Sequence, residues 1–288
     1  MALAAEELKM LQDKAYQIRR RIVQVTERSG GGHLGGSLSQ TDILVALYYK
    51  YMNINKDDPR WPERDRFVLS KGHGGLGHGV ILGDLGYVAD EDLDKFGKTG
   101  SIFGMHLDRH KVPGVDASTG SLAHGFGIGL GFALGARLKG LPWHTYIVLS
   151  DGELHEGTIW EAAMAGAQFN LTNQTTFIDR NRLMIDGFTE DIMKLEPLQD
   201  KWAAFGWNVM RIDGHDFNQI CQATEDAKKV TDKPTVIICD TVKGKGVEFM
   251  EDERKWHYGG LDDAMAKDAL ASLDEGKKKR DAAEKKAS

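Results

Sequence analysis

Hydrophobic and polar positions follow two periods along this chain. Leu8, Leu11, Ala15, Ile18, Ile22 and Val25 recur at three- and four-residue spacing, which predicts an amphipathic helix over 1–28. After it come short apolar runs that each end in a polar cluster. Phe67-Val68-Leu69-Ser70 runs into Lys71-Gly72-His73, residues 146–149 into Ser150-Asp151-Gly152, and residues 175–178 into Asp179-Arg180-Asn181. Residues 208–212 run into Asp213-Gly214-His215-Asp216, and 235–240 into Thr241. Such runs, bounded by turn residues, predict buried strands. Helical patterns fill the gaps: 42–52, capped by Thr41 or Asp42, then 125–139, 158–169, one ending over 202–207, and 217–230. Strands alternating with helices predict an α/β fold, a parallel sheet flanked by helices on both faces.

Glycine clusters sharpen this picture. Ser29 to Gly36 breaks the first helix and presents His33 on a tight turn. The GxGxxG within it, Gly30, Gly32 and Gly35, follows a helix where a dinucleotide fold needs a strand, so that reading fails. Gly97-Lys98-Thr99 imitates the end of a phosphate loop, but Asp92 stands where glycine is required and no strand precedes it. The helix over 125–139 carries glycines at 127, 129, 131 and 135, each costing about 1 kcal/mol relative to Ala. Their number predicts that another helix, a subunit or a cofactor packs very close.

Composition narrows the classes. With 288 residues, 41% hydrophobic and 28% charged, the chain reads as a soluble globular protein with a large core. A net charge of −6 leaves no basic footprint for nucleic acid. Two cysteines, Cys221 and Cys239, are not paired in a CxxC, which points to a reducing, cytoplasmic setting. The first residues lack the apolar core of a signal peptide, and the longest small-apolar run, 125–136, is too short to span a membrane. Without secretion, the sequons at Asn170 and Asn173 carry no meaning. Residues 262–288 interleave acid and base, ending KKKRDAAEKKAS, and read as a surface helix with a fraying tail that ends naturally. The expected division is an α/β domain over 1–260 and a charged helix and tail over 261–288.

The chemistry gathers at strand ends. In open parallel sheets, ligands bind at the carboxyl ends of the strands. Asp151 and Asn181 each follow a run, so they are expected to meet despite their separation in sequence. A carboxylate and an amide oxygen suit a hard divalent cation that phosphate oxygens also ligate, and Gly152 lets backbone approach a phosphate. The turn at His73 can offer N–H groups to an anion. His106, Asp108, His110 and Asp116 lie in an aperiodic loop over 100–120; His106 and His110 have metal spacing only on a helix, which Pro113 argues against.

These pieces together resemble the N-terminal, diphosphate-binding half of transketolase. The matching stretches are SGGGHLGGSLS, DRFVLSKGHG, the loop around His106, STGSLAHG, SDGELHEG with Asn181, DGHD and KGKGVEFMEDERKWH, in the family's order over roughly residues 10–260. Ser150 replaces the family's usual Gly before Asp151, and His124 its usual Gln; His124 and His215 are read as structural. The resemblance implies the thiamine diphosphate-binding (PP-type) α/β domain. It implies that Asp151, Asn181 and the Leu183 carbonyl hold Mg²⁺, and that His73, Gly120, Leu122, Gly152 and Asn181 meet the thiamine diphosphate. It places His33, His106 and His257 around the substrate as hydrogen-bond donors or proton relays, and Glu156 in a carboxylate network at the subunit interface. The implied reaction is transfer of a two-carbon ketol unit from a ketose, or ketose phosphate, to an aldose. The family's ylid-activating carboxylate and phosphate-gripping residues belong to a second, pyrimidine-binding domain. A partner subunit carrying that domain, in a heterotetramer, is therefore expected, with no nucleic acid or membrane partner. The alternatives are a non-catalytic cofactor-binding or regulatory module, and a related ketol transferase or 1-deoxyxylulose-phosphate-type synthase.

Overall fold

The computed structural model describes residues 3–287; Met1 and Ala2 of the predicted first helix, and Ser288 of the tail, lie outside the described residues. Five strands form one parallel sheet: β1 Arg66–Leu69, β2 Thr145–Ser150, β3 Gln174–Arg180, β4 Asn208–Asp213 and β5 Thr235–Asp240. Their order in space is β1-β2-β3-β5-β4. The predicted runs are thus the strands, with β3 reaching two residues past the predicted end. Asp179 and Arg180 are polar, which hides them from a hydrophobicity reading, yet both are buried because each finds a counter-charge.

Side chains along a strand alternate between faces, and here the alternation sorts two cores. Phe67, Leu69, Tyr146, Val148, Phe177, Ile237 and Cys239 face one side. They pack under the helices Ala5–Ser29, Thr41–Ala46, Gly75–Asp84 and Phe217–Lys229. Val68, Ile147, Leu149, Ile178, Val236 and Ile238 face the other. They pack under His124–Lys139, Gly157–Gln168 and Leu198–Ala204, with Phe126, Trp202 and Trp207 in mutual ring contact. The helix Asp263–Ala287 lies outside the first face, with Ala266, Ala269 and Leu273 buried, and packs on Ala5–Ser29.

Two expectations are refined. The helix predicted over 42–52 is helical over Thr41–Ala46 and then widens into a π-helical turn, Leu47–Tyr51, and no side chain caps its start. The glycines of His124–Lys139 divide by face. A Cβ on Gly125 would lie 2.6 Å from Ser70 Cα, and one on Gly129 2.6 Å from Ile147 Cδ1, so these two let the helix settle onto the sheet. Gly127, Gly131 and Gly135 meet nothing within 4 Å. Close packing inside the chain therefore accounts for only the inward-facing pair.

Candidate cofactor and active site at the strand tips

β2 and β3 are neighbours with Ser150 opposite Asp179, so the residues just past their ends come together. The Asp151 N–H donates to Asp179 O at 3.3 Å, and the Asp151 carboxylate accepts from the Arg182 N–H and from Arg180 Nη1 at 3.0 Å. Asn181 sits between those two donors. Its amide oxygen accepts from the Leu183 N–H at 3.2 Å. Asp151, Asn181 and Leu183 share one cavity of about 310 Å³, together with His73, His106, Gly120, Leu122, Gly152, Lys243 and His257.

His33 completes the ring of imidazoles. Its ring centre lies 5.5 Å from those of His73 and His257, 6.2 Å from that of His106, and 4.9 Å from that of Tyr258. It immediately precedes the helix Leu34–Ser39, and an isolated antiparallel bridge from Gly32 to Gly259 ties the glycine-rich turn to the segment that carries His257. Burial pushes the four histidines below their ordinary range, helped by nearby cations at all but His106: His33 to about 4, His257 to about 3, and His73 and His106 lower by direction. Each ring is neutral at neutral pH and offers one donor and one acceptor. Glu156 stands apart. It precedes the helix Gly157–Gln168, is exposed, and does not line the cavity.

Below the cavity lies a buried charge cluster that sequence reading missed. Lys71 Nζ meets Asp179 Oδ2 at 2.5 Å with both side chains fully buried, and Lys71 also donates to Gly36 O at 3.0 Å. Ser39 Oγ and Thr241 Oγ1 donate to the same carboxylate. Burial raises the Asp179 pKa, but Lys71 and these hydrogen bonds leave it below its usual value. Lys243 is the second missed residue. It is buried and donates to the Leu183 carbonyl at 2.5 Å, with His257 Nδ1 at 2.8 Å. Burial and the Lys71 charge lower its pKa to about 8. The two glycines of KGKG look like a mere turn in sequence. A lysine between a buried strand and a turn was the available signal. His215, read as structural, is a strut to this loop: its Nε2 accepts the Val242 N–H at 2.9 Å, so Nδ1 carries the proton toward Asp42 at 2.7 Å. His124 is exposed, with Nδ1 3.2 Å from Leu122 O.

The donor set suits a divalent cation. Among the described residues, no three His, Cys, Asp or Glu side chains gather to hold a metal by themselves. One carboxylate, one amide oxygen and one backbone carbonyl leave coordination positions for phosphate and water. Two observations favour a cationic occupant. Burial and the neighbouring Asp179 raise the Asp151 pKa, against the effect of Arg180, so added positive charge would stabilise its carboxylate. The Leu183 carbonyl already accepts from an ammonium.

Comparison with known proteins decides the family. Residues 11–275 match the model of the transketolase, thiamine diphosphate binding domain. The chain belongs to the transketolase family. It is 44% identical to a 6-deoxy-6-sulfo-D-fructose transketolase subunit of Clostridium sp. (strain MSTE9), covering 92% of this chain and 96% of that one. It is 40% identical to an apulose-4-phosphate transketolase subunit of Phocaeicola vulgatus, over 88% and 90%. Human transketolase is 34% identical, but the match covers 93% of this chain and only 42% of the human protein. Among solved structures, the transketolase of Campylobacter jejuni superposes with a TM-score of 0.87 at 31% identity, over 92% of this chain and 43% of that one. The transketolase-family domain here thus spans nearly all of some relatives and under half of others.

Proposed function

We propose that this chain is the N-terminal, diphosphate-binding subunit of a split, thiamine diphosphate-dependent transketolase. It transfers a two-carbon ketol unit from a ketose to an aldose, in complex with a pyrimidine-binding subunit. The observation that carries this reading is the meeting of Asp151, Asn181 and the Leu183 carbonyl in one cavity ringed by His33, His73, His106 and His257.

In this reading Asp151, Asn181 and the Leu183 carbonyl hold Mg²⁺, while His73, Gly152 and Lys243 face the diphosphate. A Cβ on Gly120 would lie 3.4 Å from the His106 ring, so Gly120 and Leu122 border the space left for the aminopyrimidine. Bound thiamine diphosphate supplies the carbanion chemistry that breaks and remakes a carbon–carbon bond. The chain's own residues bind, orient and exclude water. Neutral His33, His106 and His257 donate N–H groups to sugar hydroxyls or carbonyl, and a neutral ring can take or return a proton there. Lys243 adds positive charge to a site built for an anion.

The partner assignment has separate support. Two relatives of nearly the same length are named as subunits. Ile185, Phe188, Ile192 and Met193, in the segment bordering the cavity, are exposed apolar side chains suited to a second polypeptide. Glu156 lies free at the surface for the carboxylate network, and a heterotetramer is the expected assembly. Both relatives are named for anionic sugars, so an anionic ketose is the expected donor class. No helix among the described residues is long and apolar enough to cross a membrane. Two free, buried cysteines fit the proposed cytoplasmic setting.

The test is to purify the native complex and titrate thiamine diphosphate with Mg²⁺. Asp151→Ala should lose cofactor-dependent ketol transfer in the complex, and the isolated chain should turn over little or nothing. Full activity of the isolated chain, or an active Asp151→Ala complex, would overturn the reading.

A further inference from the structure

A second cavity, of about 520 Å³, shares no residue with the first. It lies at the edge strand β1, by the strand's first residue, whereas the cofactor cavity lies past the strand ends. Three segments wall it: the approach to β1 with Arg60, Arg64 and Arg66, the loop carrying Arg109 and Asp116, and the last turns of His124–Lys139 with Lys139, followed by Trp143. Five fixed cations therefore surround one carboxylate, in a chain whose net charge is −6.

The deeper cations are already anchored. Arg64 pairs with Asp116 and donates to Trp61 O at 3.0 Å. Arg66 donates to Pro62 O at 2.7 Å and stacks 4.0 Å above the Trp143 ring. Asp116 accepts from the Phe67 N–H at 2.9 Å, which locks this wall to the sheet. Burial and the Arg64 charge push Arg66 below its usual range, against the opposing pull of Asp116 and Asp65. Arg60, Arg109 and Lys139 are exposed and form no ion pair among the described residues. The indole Nε1 of Trp143 is buried without an acceptor.

We infer that this cavity is a binding site for a small, multiply charged phosphate anion, either an organic phosphate or a short polyphosphate. Guanidinium forks match phosphate oxygens in geometry and charge. The volume is that of a small-molecule pocket, larger than one phosphate needs. A concave site walled from three segments fits a compact ligand better than a flat protein contact.

The test is calorimetric titration of the full chain with inorganic pyrophosphate and with adenosine triphosphate, in chelator without Mg²⁺. The variants are Arg109→Ala/Lys139→Ala, both at exposed positions, and Lys243→Ala in the cofactor cavity. Thermal melting checks that each variant is folded. Binding by the wild type that weakens at least about tenfold in the double variant and persists in Lys243→Ala supports the site. Binding of both probes then points to polyphosphate, and binding of the nucleotide alone to an organic phosphate. No binding, equal binding in the double variant, or a loss that follows Lys243 overturns it. So does binding that vanishes when the partner subunit is added, because acidic side chains of the partner would then fill the cavity.

Discussion

The two faces of the sheet are covered differently. On the first, helices pack on the strands, and Asp263–Ala287 packs in turn on the outermost of them. On the second, His124–Lys139 and Gly157–Gln168 are a single layer, and their outer sides carry Ile128, Leu138 and Met164, with Phe169 just beyond. Leu138 is 76% and Met164 55% exposed. The first face is finished by the chain itself. The second shows apolar side chains and three unfilled glycines to its surroundings, as a surface does when another protein completes it.

The first face also carries the buried pair Lys71–Asp179, so it should be sensitive to charge changes. Lys71→Met leaves the Asp179 carboxylate buried without its cation and should cost roughly 3–5 kcal/mol. Chemical denaturation of the isolated chain measures it. A loss below about 1 kcal/mol would mean that Ser39 and Thr241 suffice for Asp179, and that the face does not depend on the pair.

Acid should attack the same face. His78, bonded to the Tyr48 hydroxyl at 2.7 Å, and His144, 2.9 Å from Thr175 Oγ1, are both lowered by burial from 6.5 to about 3. The unfolded chain therefore takes up these protons first. The stability of the neutral rings is complete above pH 6.5 and drains as pH falls toward 3. Between pH 6.5 and 5.5 each ring should cost about 1 kcal/mol, about 2 kcal/mol for the two together. Urea midpoints at the two pH values test this, and His78→Asn should reduce the loss by about 1 kcal/mol relative to wild type. A flat profile would show that the first face tolerates the added charge.

The outward side of the second face should behave in the opposite way. Met164→Glu should leave the isolated chain within about 0.5 kcal/mol of wild type. In the assembled enzyme it should weaken association by about 2 kcal/mol or more if this side meets the partner. Analytical ultracentrifugation of the mixed subunits separates the two. Unchanged association would place the partner elsewhere and leave the apolar side chains unexplained.

The same contrast governs what the sequence made legible. All five strands showed in their apolar runs, and Asp151 and Asn181 could be paired because parallel strands bring their tips together. The buried pair Lys71–Asp179 was not legible, since a lysine after a strand and an aspartate before an arginine read as surface turns until a partner far along the chain is known. Lys243 was hidden for the same reason, lying in a glycine-rich turn with no periodicity. His215 looked like a turn residue, although its neighbour across the fold, Asp42, makes it a strut. The glycines of His124–Lys139 announced close packing, but helical periodicity alone did not tell which of them faced the sheet and which faced out.

The smallest effect concerns what holds the outer helix of the first face. Asp274 accepts from the Tyr16 hydroxyl at 2.7 Å and pairs with Arg20, while Lys277 reaches Asp13 at 2.9 Å. These ion pairs are largely at the surface, where side-chain entropy and salt leave little net gain. Leu273 is only 5% exposed, with Ala266 and Ala269 fully buried beside the first helix. Asp274→Asn should therefore cost at most about 1 kcal/mol, and less in high salt, whereas Leu273→Ala should cost roughly 2 kcal/mol or more, nearly independent of salt. Thermal melts of both variants at low and high salt measure the difference. A larger and salt-sensitive loss from Asp274→Asn would mean that the outer layer is held by charge, and the first face would then be completed by electrostatics rather than by burial.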